Sequence, residues 1–523
     1  MDFSTPTAMA QHEAGKLHKT LGRFDIVFLL IAAVVSFETL GQVADYGAQA
    51  FTWTLILAVG FLVPYGLIFA ETGAAFSDEG GAYVWVRNAY GRVAGAIAAL
   101  LTWVTQPIWV GGTMAFLAVE SWNAWVSPIG HGSLSDYLFK LVFIWATVMA
   151  AVMSLSRGKW ITTVGAILKV GLLVLFVGTA VIYALQNGVV SLSAGDFKPD
   201  LYGLFGLVPI LLFAYVGFES ANSAGGEMKD PARDVPISIA RSGLTAAACY
   251  LLPVLAILLV IPANKITGVG GLLDAVDQVY SVYGAASGVM ITLTAVIFVL
   301  ALMAQGAAWM IISDRMQAMA AADGSFFGGF FGKFSTSLGT PVRVNVLSGV
   351  VGSLFMVAAM QLTTGTSASI FGVVLLISIT TFLLSYLLVI PAAIKLRRMY
   401  PDVVRPYRVP VSNAGFAVLG WVCFAWILLG SWVAIFPGTL ERLFGLDYPF
   451  MEYWGVTQSQ FEVFTLGTLA VLLVLGVVGY LLGAPVRTVR VEVDTASTVP
   501  LPSDRLTGDE APRAAASSRE RSS

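Results

Sequence analysis

Twelve runs of about twenty apolar residues, separated by short polar stretches, fix what this 523-residue chain can become. A helix rises 1.5 Å per residue, so each run is long enough to cross a hydrocarbon core about 30 Å thick. The runs fall near residues 24 to 44, 51 to 74, 93 to 124, 136 to 156, 160 to 186, 201 to 225, 236 to 262, 283 to 312, 341 to 361, 367 to 394, 415 to 437 and 463 to 483. Charged residues make up 11% of the chain, less than half of the roughly 25% usual in soluble domains, so most of its surface is built for lipid. The sequence therefore predicts an all-α membrane protein with about twelve transmembrane helices.

Positive loops stay on the cytoplasmic side. With the N-terminus inside, twenty Lys and Arg residues, among them Arg87, Arg92, Arg233, Arg315 and Arg397, fall in inner loops and in the parts of the tails next to the spans. Only Lys140, Lys198, Lys265 and Arg442 fall outside. Both termini are thus expected in the cytoplasm of a cell with this protein in its plasma membrane. Residues 1–23 and 484–523 read as polar, disordered cytoplasmic tails. Cys249 and Cys423 lie inside predicted spans, so no disulfide framework is expected. His12, His18 and His131 sit in the tail or an outer loop without metal-ligand or nucleophile–base spacing, so neither an enzyme nor a metal or cofactor site is expected. Nothing suggests nucleic acid.

The informative positions are those where the membrane rules are broken. The first span ends in Ser36-Phe37-Glu38-Thr39-Leu40-Gly41, and the sixth carries Phe213-Ala214-Tyr215-Val216-Gly217-Phe218-Glu219-Ser220. A charge at mid-membrane costs at least about 2.5 to 3.5 kcal/mol, so such a residue normally faces a cavity or a partner. The near-identical triplets Phe37-Glu38-Thr39 and Phe218-Glu219-Ser220 lie five spans apart. An odd repeat length reverses topology, which predicts an inverted repeat of residues 24–186 and 201–394, with spans in 415–483 appended. Paired interruptions of this kind point to a substrate site at their junction.

The expected substrate-binding residues are Ser36, Glu38, Thr39, Gly41, Phe213, Tyr215, Gly217 and Trp309, with Trp103 and Trp109 as weaker candidates. Carboxylates would attract an amine or carry a proton, and aromatic faces would meet an ammonium group. Lys169 is the one cation well inside a predicted span, about 13 Å from its start at the helical rise, and is expected to couple transport to protons. The loops at Ser77–Gly91, a Gly-Gly turn followed by an amphipathic segment, and Glu227–Pro236 read as salt-bridging devices at inner helix ends.

These residues resemble the amino acid–polyamine–organocation transporters. The resemblance rests on Gly80-Gly81-Ala82-Tyr83 with Ala89-Tyr90-Gly91, the Phe213–Ser220 segment, the Glu227–Pro236 loop, and Trp309 followed by Ala320-Ala321-Ala322-Asp323-Gly324. It covers roughly residues 20 to 440. The stretches at Val35–Thr39 and Tyr400–Asp402 look most similar to bacterial glutamate/γ-aminobutyrate antiporters. The family implies a leucine-transporter-like fold with helices one and six unwound around the substrate. It further implies Phe213 as an occluding aromatic, Glu219 as a gating carboxylate, Trp309 as a pocket wall and Lys169 in the place of a sodium ion. Glu38-Thr39-Leu40-Gly41 departs from the Gly-Ser-Gly-type turn common in helix one. The substrates implied are amino acids, γ-aminobutyrate or polyamines, carried with protons or in exchange.

Overall fold

The computed structural model describes residues 6–17, 19–153, 159–262, 266, 271–362 and 367–488. Twelve helices among the described residues are long and apolar enough to cross a bilayer. They are α1 (Arg23–Ala44), α2 (Gln49–Ala75), α3 (Arg92–Trp125), α4 (Leu134–Met153), α5 (Trp160–Asn187) and α6 (Leu201–Glu227). The second half continues with α7 (Pro231–Val260), α8 (Ser287–Ala322), α9 (Val342–Leu362), α10 (Ser367–Met399), α11 (Asn413–Ile435) and α12 (Gln458–Leu482). The fold is all-α, as expected.

Burial sorts these helices by role. α1 and α10 are almost wholly enclosed by their neighbours, whereas α12 turns Val463, Val471, Leu473 and Leu481 outward. A helix that is apolar all round belongs either in a core or in lipid. Tight backbone approaches set the spacing inside. α3 loosens into a π-turn at Val110–Met114, and a methyl group at Gly111 would run into the Gly352 carbonyl of α9. Only glycine lets the two backbones touch there.

Three sequence expectations are corrected. The eighth span does not end at 312: α8 runs on to Ala322, which buries Asp314 and Arg315 inside the bundle instead of leaving Arg315 in a loop. A continuous run of the helix formers Met, Gln and Ala after Arg315 keeps the helix going once the arginine is neutralised. α7 starts at Pro231, not Pro236; Pro231 occupies the first turn, where a missing N–H costs nothing. The N-terminal segment is also ordered where described. Thr7 caps a short helix, Ala8–Ala14, and that helix is pinned to the end of α8 by Thr7 N–H to Asp323 (2.7 Å) and Thr7 Oγ1 to the Ala322 carbonyl (2.8 Å). Glu13 accepts the Phe334 N–H, and Leu21 pairs with the backbone beside Met228. The tail expected over 484–523 lies outside the described residues from 489 onward. Arg487 bonds the Gly324 carbonyl, so the two described chain ends meet at one end of the bundle.

Ion pairs close that end. Arg315 bridges Glu79 (3.3 Å) and Glu227 (2.8 Å), joining the two loops that the sequence marks as salt-bridging devices. Asp323 takes Arg87 (3.0 Å), Arg92 (3.3 Å) and the Tyr83 hydroxyl (2.6 Å). Glu71 holds Arg397 (2.9 Å) and Arg405 (3.3 Å). Burial pushes the Glu79 carboxyl up to about 7, with Arg315 pulling it down and Glu227 pushing it up again.

Candidate transport site at the paired helix breaks

α1 is helical to Val34, leaves helical geometry at Val35 (ψ 100°) and Ser36 (ψ 80°), makes a single 3₁₀ turn at Phe37–Thr39 and resumes at Leu40–Ala44. The break frees the last carbonyls of the first segment, which in the absence of water need new donors. Three neighbours supply them. Lys169 Nζ of α5 donates to the Ala32 carbonyl (2.7 Å), Trp309 Nε1 of α8 to Ala33 (2.7 Å), and the Tyr250 hydroxyl of α7 to Val34 (2.7 Å). Tyr250 also accepts the Ser36 N–H (2.8 Å). The unwound turn is therefore held open by α5, α7 and α8 together.

α6 breaks in the matching place. Val216 is extended and Gly217 has φ 107°, after which a 3₁₀ segment runs from Phe218 to Glu227. Glycine is required at 217 twice over: the φ is left-handed, and the Trp309 ring occupies the space a Cβ would need. Gly217 N–H donates to the Tyr65 hydroxyl (2.8 Å). Tyr65 in turn donates to Glu219, and Tyr386 of α10 donates to the other Glu219 oxygen (2.6 Å), joined by the Ser220 hydroxyl (3.3 Å).

Between the breaks lies an aromatic wall. Trp109 meets Phe213 edge-on at 5.5 Å, Phe213 meets Phe382 at 5.7 Å, and Phe382 meets Trp309 at 5.4 Å and Tyr386 at 5.2 Å. Gln305 and Trp309 are one helical turn apart on α8, as are Phe382 and Tyr386 on α10, so each pair shows one face. The wall thus runs from the Glu38 end to the Glu219 end. Gln305 Nε2 donates to Glu38 Oε1 (2.9 Å) and to Ser36 Oγ (3.2 Å), while its Oε1 accepts from Lys169 (2.5 Å). Two buried polar atoms beside this wall have no partner among the described residues: Glu38 Oε2 and Trp109 Nε1.

Ser36, Glu38, Phe213, Gly217, Trp309, Glu219 and Lys169 are accordingly brought together. Thr39 bonds back to the Ser36 carbonyl (2.8 Å) and steadies the turn. Gly41 lies beyond it, against the outer helix Gly271–Tyr280, where a Cβ on Gly271 would come within 2.9 Å of its Cα. Tyr215 points to α2, donating to the Thr54 carbonyl (3.0 Å). Trp103 is away from the wall and donates to Asp314 (3.0 Å). Lys169 is not isolated, since it spans α1 and α8. Gln305, Tyr65, Tyr250, Phe382 and Tyr386 were not singled out from sequence. The rule that flags polar groups at membrane depth applies to Gln305 as it does to Lys169. The tyrosines and Phe382 carry no such signal.

The profile of the Amino acid permease family matches residues 21–443, which spans both breaks and the wall between them. The chain belongs to that family. This permease is 31% identical over 395 residues to the "Probable agmatine/putrescine antiporter" of Lactococcus lactis, covering 75% of this chain and 82% of that protein. It is 26% identical over 420 residues to an uncharacterized transporter of Legionella pneumophila, covering 79% and 89% of the two chains. A third relative, the branched-chain amino acid permease of Bacillus subtilis, is 23% identical over 462 residues, covering 83% and 93%. The permease is a multi-pass membrane protein, and its relatives are transporters.

Proposed function

We propose that this permease carries small amines, whether amino acids, γ-aminobutyrate or polyamines, across the cell membrane by alternating access at the two breaks, with protons as the second ion. The observation that carries this reading is the free Glu38 oxygen beside an aromatic wall in a buried site. A carboxylate with spare acceptor capacity suits an ammonium group, and aromatic faces add cation–π attraction of about 0.5 to 2 kcal/mol. Residues 24–186 and 201–394 each contribute one interrupted helix, which supports alternating access between two inverted halves. A channel fits poorly, since the ion pairs that seal one end have no counterpart in a continuous pore.

Exchange of an amino acid for its decarboxylated amine is the second reading, favoured by the antiporter to which the chain is similar. Liposomes preloaded with agmatine, putrescine, γ-aminobutyrate or glutamate, and assayed with labelled external solute, decide between them. Uptake that requires internal solute establishes exchange; uptake driven by an imposed proton gradient alone establishes proton-coupled import; uptake of none of these solutes overturns the proposal. Both chain ends belong on the cytoplasmic side by the charge asymmetry of the loops. A cysteine placed at Asn88 should resist an impermeant thiol reagent in intact cells, and labelling there would reverse the orientation.

A further inference from the structure

We propose that Gln305 is a positioning residue that makes one net positive charge on the substrate and one proton mutually exclusive occupants of the site. This rests on the amine-carrier reading above and adds a residue and a stoichiometry to it.

The geometry is a three-residue bridge. Lys169 Nζ donates to Gln305 Oε1, and Gln305 Nε2 donates to Glu38 Oε1, so a single amide links α5 through α8 to α1. All three side chains are buried. The other titratable groups that face them are Cys249 and Tyr250, both from α7. Tyr250 is committed to backbone groups of α1. Among the described residues, no second cation or carboxylate from α5, α6, α7 or α8 acts on the bridge. The bridge therefore has one negative charge, one positive charge and no further counter-ion.

Counting protons gives the consequence. With one proton in the bridge, as Lys169 ammonium with Glu38 carboxylate or as neutral amine with carboxylic acid, the unit is neutral. The proton belongs to the pair and not to either member. An ammonium substrate bound at Glu38 Oε2 brings a charge into a water-poor site, where an unbalanced charge is costly. Neutrality returns when the bridge releases its proton to bulk water: an N–H bond of Lys169 breaks, Glu38 stays ionised, and the substrate N–H donates to Glu38 Oε2. The site is built to tolerate that product. A neutral amine has two N–H groups, and Lys169 has two acceptors, the Ala32 carbonyl and Gln305 Oε1. An ammonium has a third, and the Phe37 ring lies 5.2 Å from Nζ. Gln305 fits both states without turning its amide, which keeps Glu38 Oε1 engaged and leaves Oε2 as the oxygen on offer. A substrate with no net charge, such as zwitterionic γ-aminobutyrate, does not demand the release.

The test uses the purified full chain in weakly buffered detergent with a pH-indicator dye. Free L-lysine, of net charge +1, is the cationic probe and γ-aminobutyrate the zwitterionic one. Wild type should release close to one proton per free lysine bound, and its Kd for free lysine should fall by up to about tenfold per pH unit as pH rises through the titration of the bridge. γ-Aminobutyrate should release few or none. Gln305→Leu should still bind free lysine but release less than half as many protons, and should flatten the pH dependence of Kd. Release from Gln305→Leu equal to wild type overturns the positioning role. If that variant does not fold, the wild-type Kd profile decides alone, since a flat profile overturns the exclusion. Uptake of free lysine into liposomes without proton release on binding defeats this inference and spares the carrier reading. An absence of binding and uptake for all tested amines defeats the carrier reading itself.

Discussion

The two breaks carry nearly the same three residues and treat their carboxylates oppositely. Both Glu219 oxygens are taken by hydroxyl groups, from Tyr65, Tyr386 and Ser220. Glu38 has one oxygen engaged by Gln305 and the other unpartnered. A buried carboxylate with all its acceptors used ties helices together, while one with an acceptor to spare is poised for something that arrives. On the proposed reading, the difference separates a hinge that holds α2, α6 and α10 in register from a face that receives ligand. Sequence alone makes the two look equivalent; the hydroxyl donors come from helices far away in the chain.

Substitutions can break that comparison. The largest effect is expected at Glu38→Gln, which keeps the shape but removes the charge. A hydrogen bond to a charged group contributes roughly 1.5 to 3 kcal/mol, so affinity for a cationic amine should drop by about tenfold to a hundredfold. Binding measurements on purified protein check this, and an unchanged Kd would make Glu38 structural. Next comes Glu219→Gln, which should leave affinity within a few-fold and slow uptake by about tenfold, with a lower melting temperature from loss of charge-assisted bonds. Should Kd rise more than the rate falls, the roles assigned to the two carboxylates are reversed. Phe213→Ala should insert normally yet lower transport several-fold, since it removes an aromatic pair on each side worth about 0.5 to 1.5 kcal/mol. Wild-type uptake kinetics in that variant would remove Phe213 from the wall.

The smallest effect lies away from both breaks, at Glu79. Its carboxyl sits near 7 in the closed lock, above the usual range, because burial disfavours its charge. If opening that end hydrates Glu79 and restores an ordinary carboxylate, protons bind preferentially to the closed form. The closed form then gains stability as pH falls through 7 and loses that gain above it. Acidifying the compartment on that side from pH 8 to 6 should slow turnover by less than tenfold, and Glu79→Gln should abolish the dependence. The opposite sign in liposomes of defined orientation would show that the lock opens on protonation.

The fold was legible because apolar run length and the hydrocarbon thickness are the same constraint seen twice. The places of Glu38, Glu219 and Lys169 at the breaks were legible because each puts a charge at membrane depth. What stayed hidden was pairing. Lys169 reads as an isolated cation until Gln305, in a span 136 residues later, is folded against it. Tyr215 reads as a pocket residue by proximity to Phe213, yet two positions along a helix turns a side chain to another face, here toward Thr54. Arg315 reads as a loop cation because the apolar run stops near it, whereas its charge is absorbed by Glu79 and Glu227 and the helix passes through.

Gly111 has a lesson for anyone who maps this permease by saturation screening. It touches the Gly352 carbonyl across the α3–α9 crossing and can accept no side chain without parting the two backbones. In a growth selection it should score as intolerant as Glu38, although it has no spare polar atom and faces no wall. A map of intolerance would therefore merge close-packed crossings with solute contacts. Conservative exchanges separate them: Glu38→Asp tests chemistry, while at Gly111 even alanine is already too large.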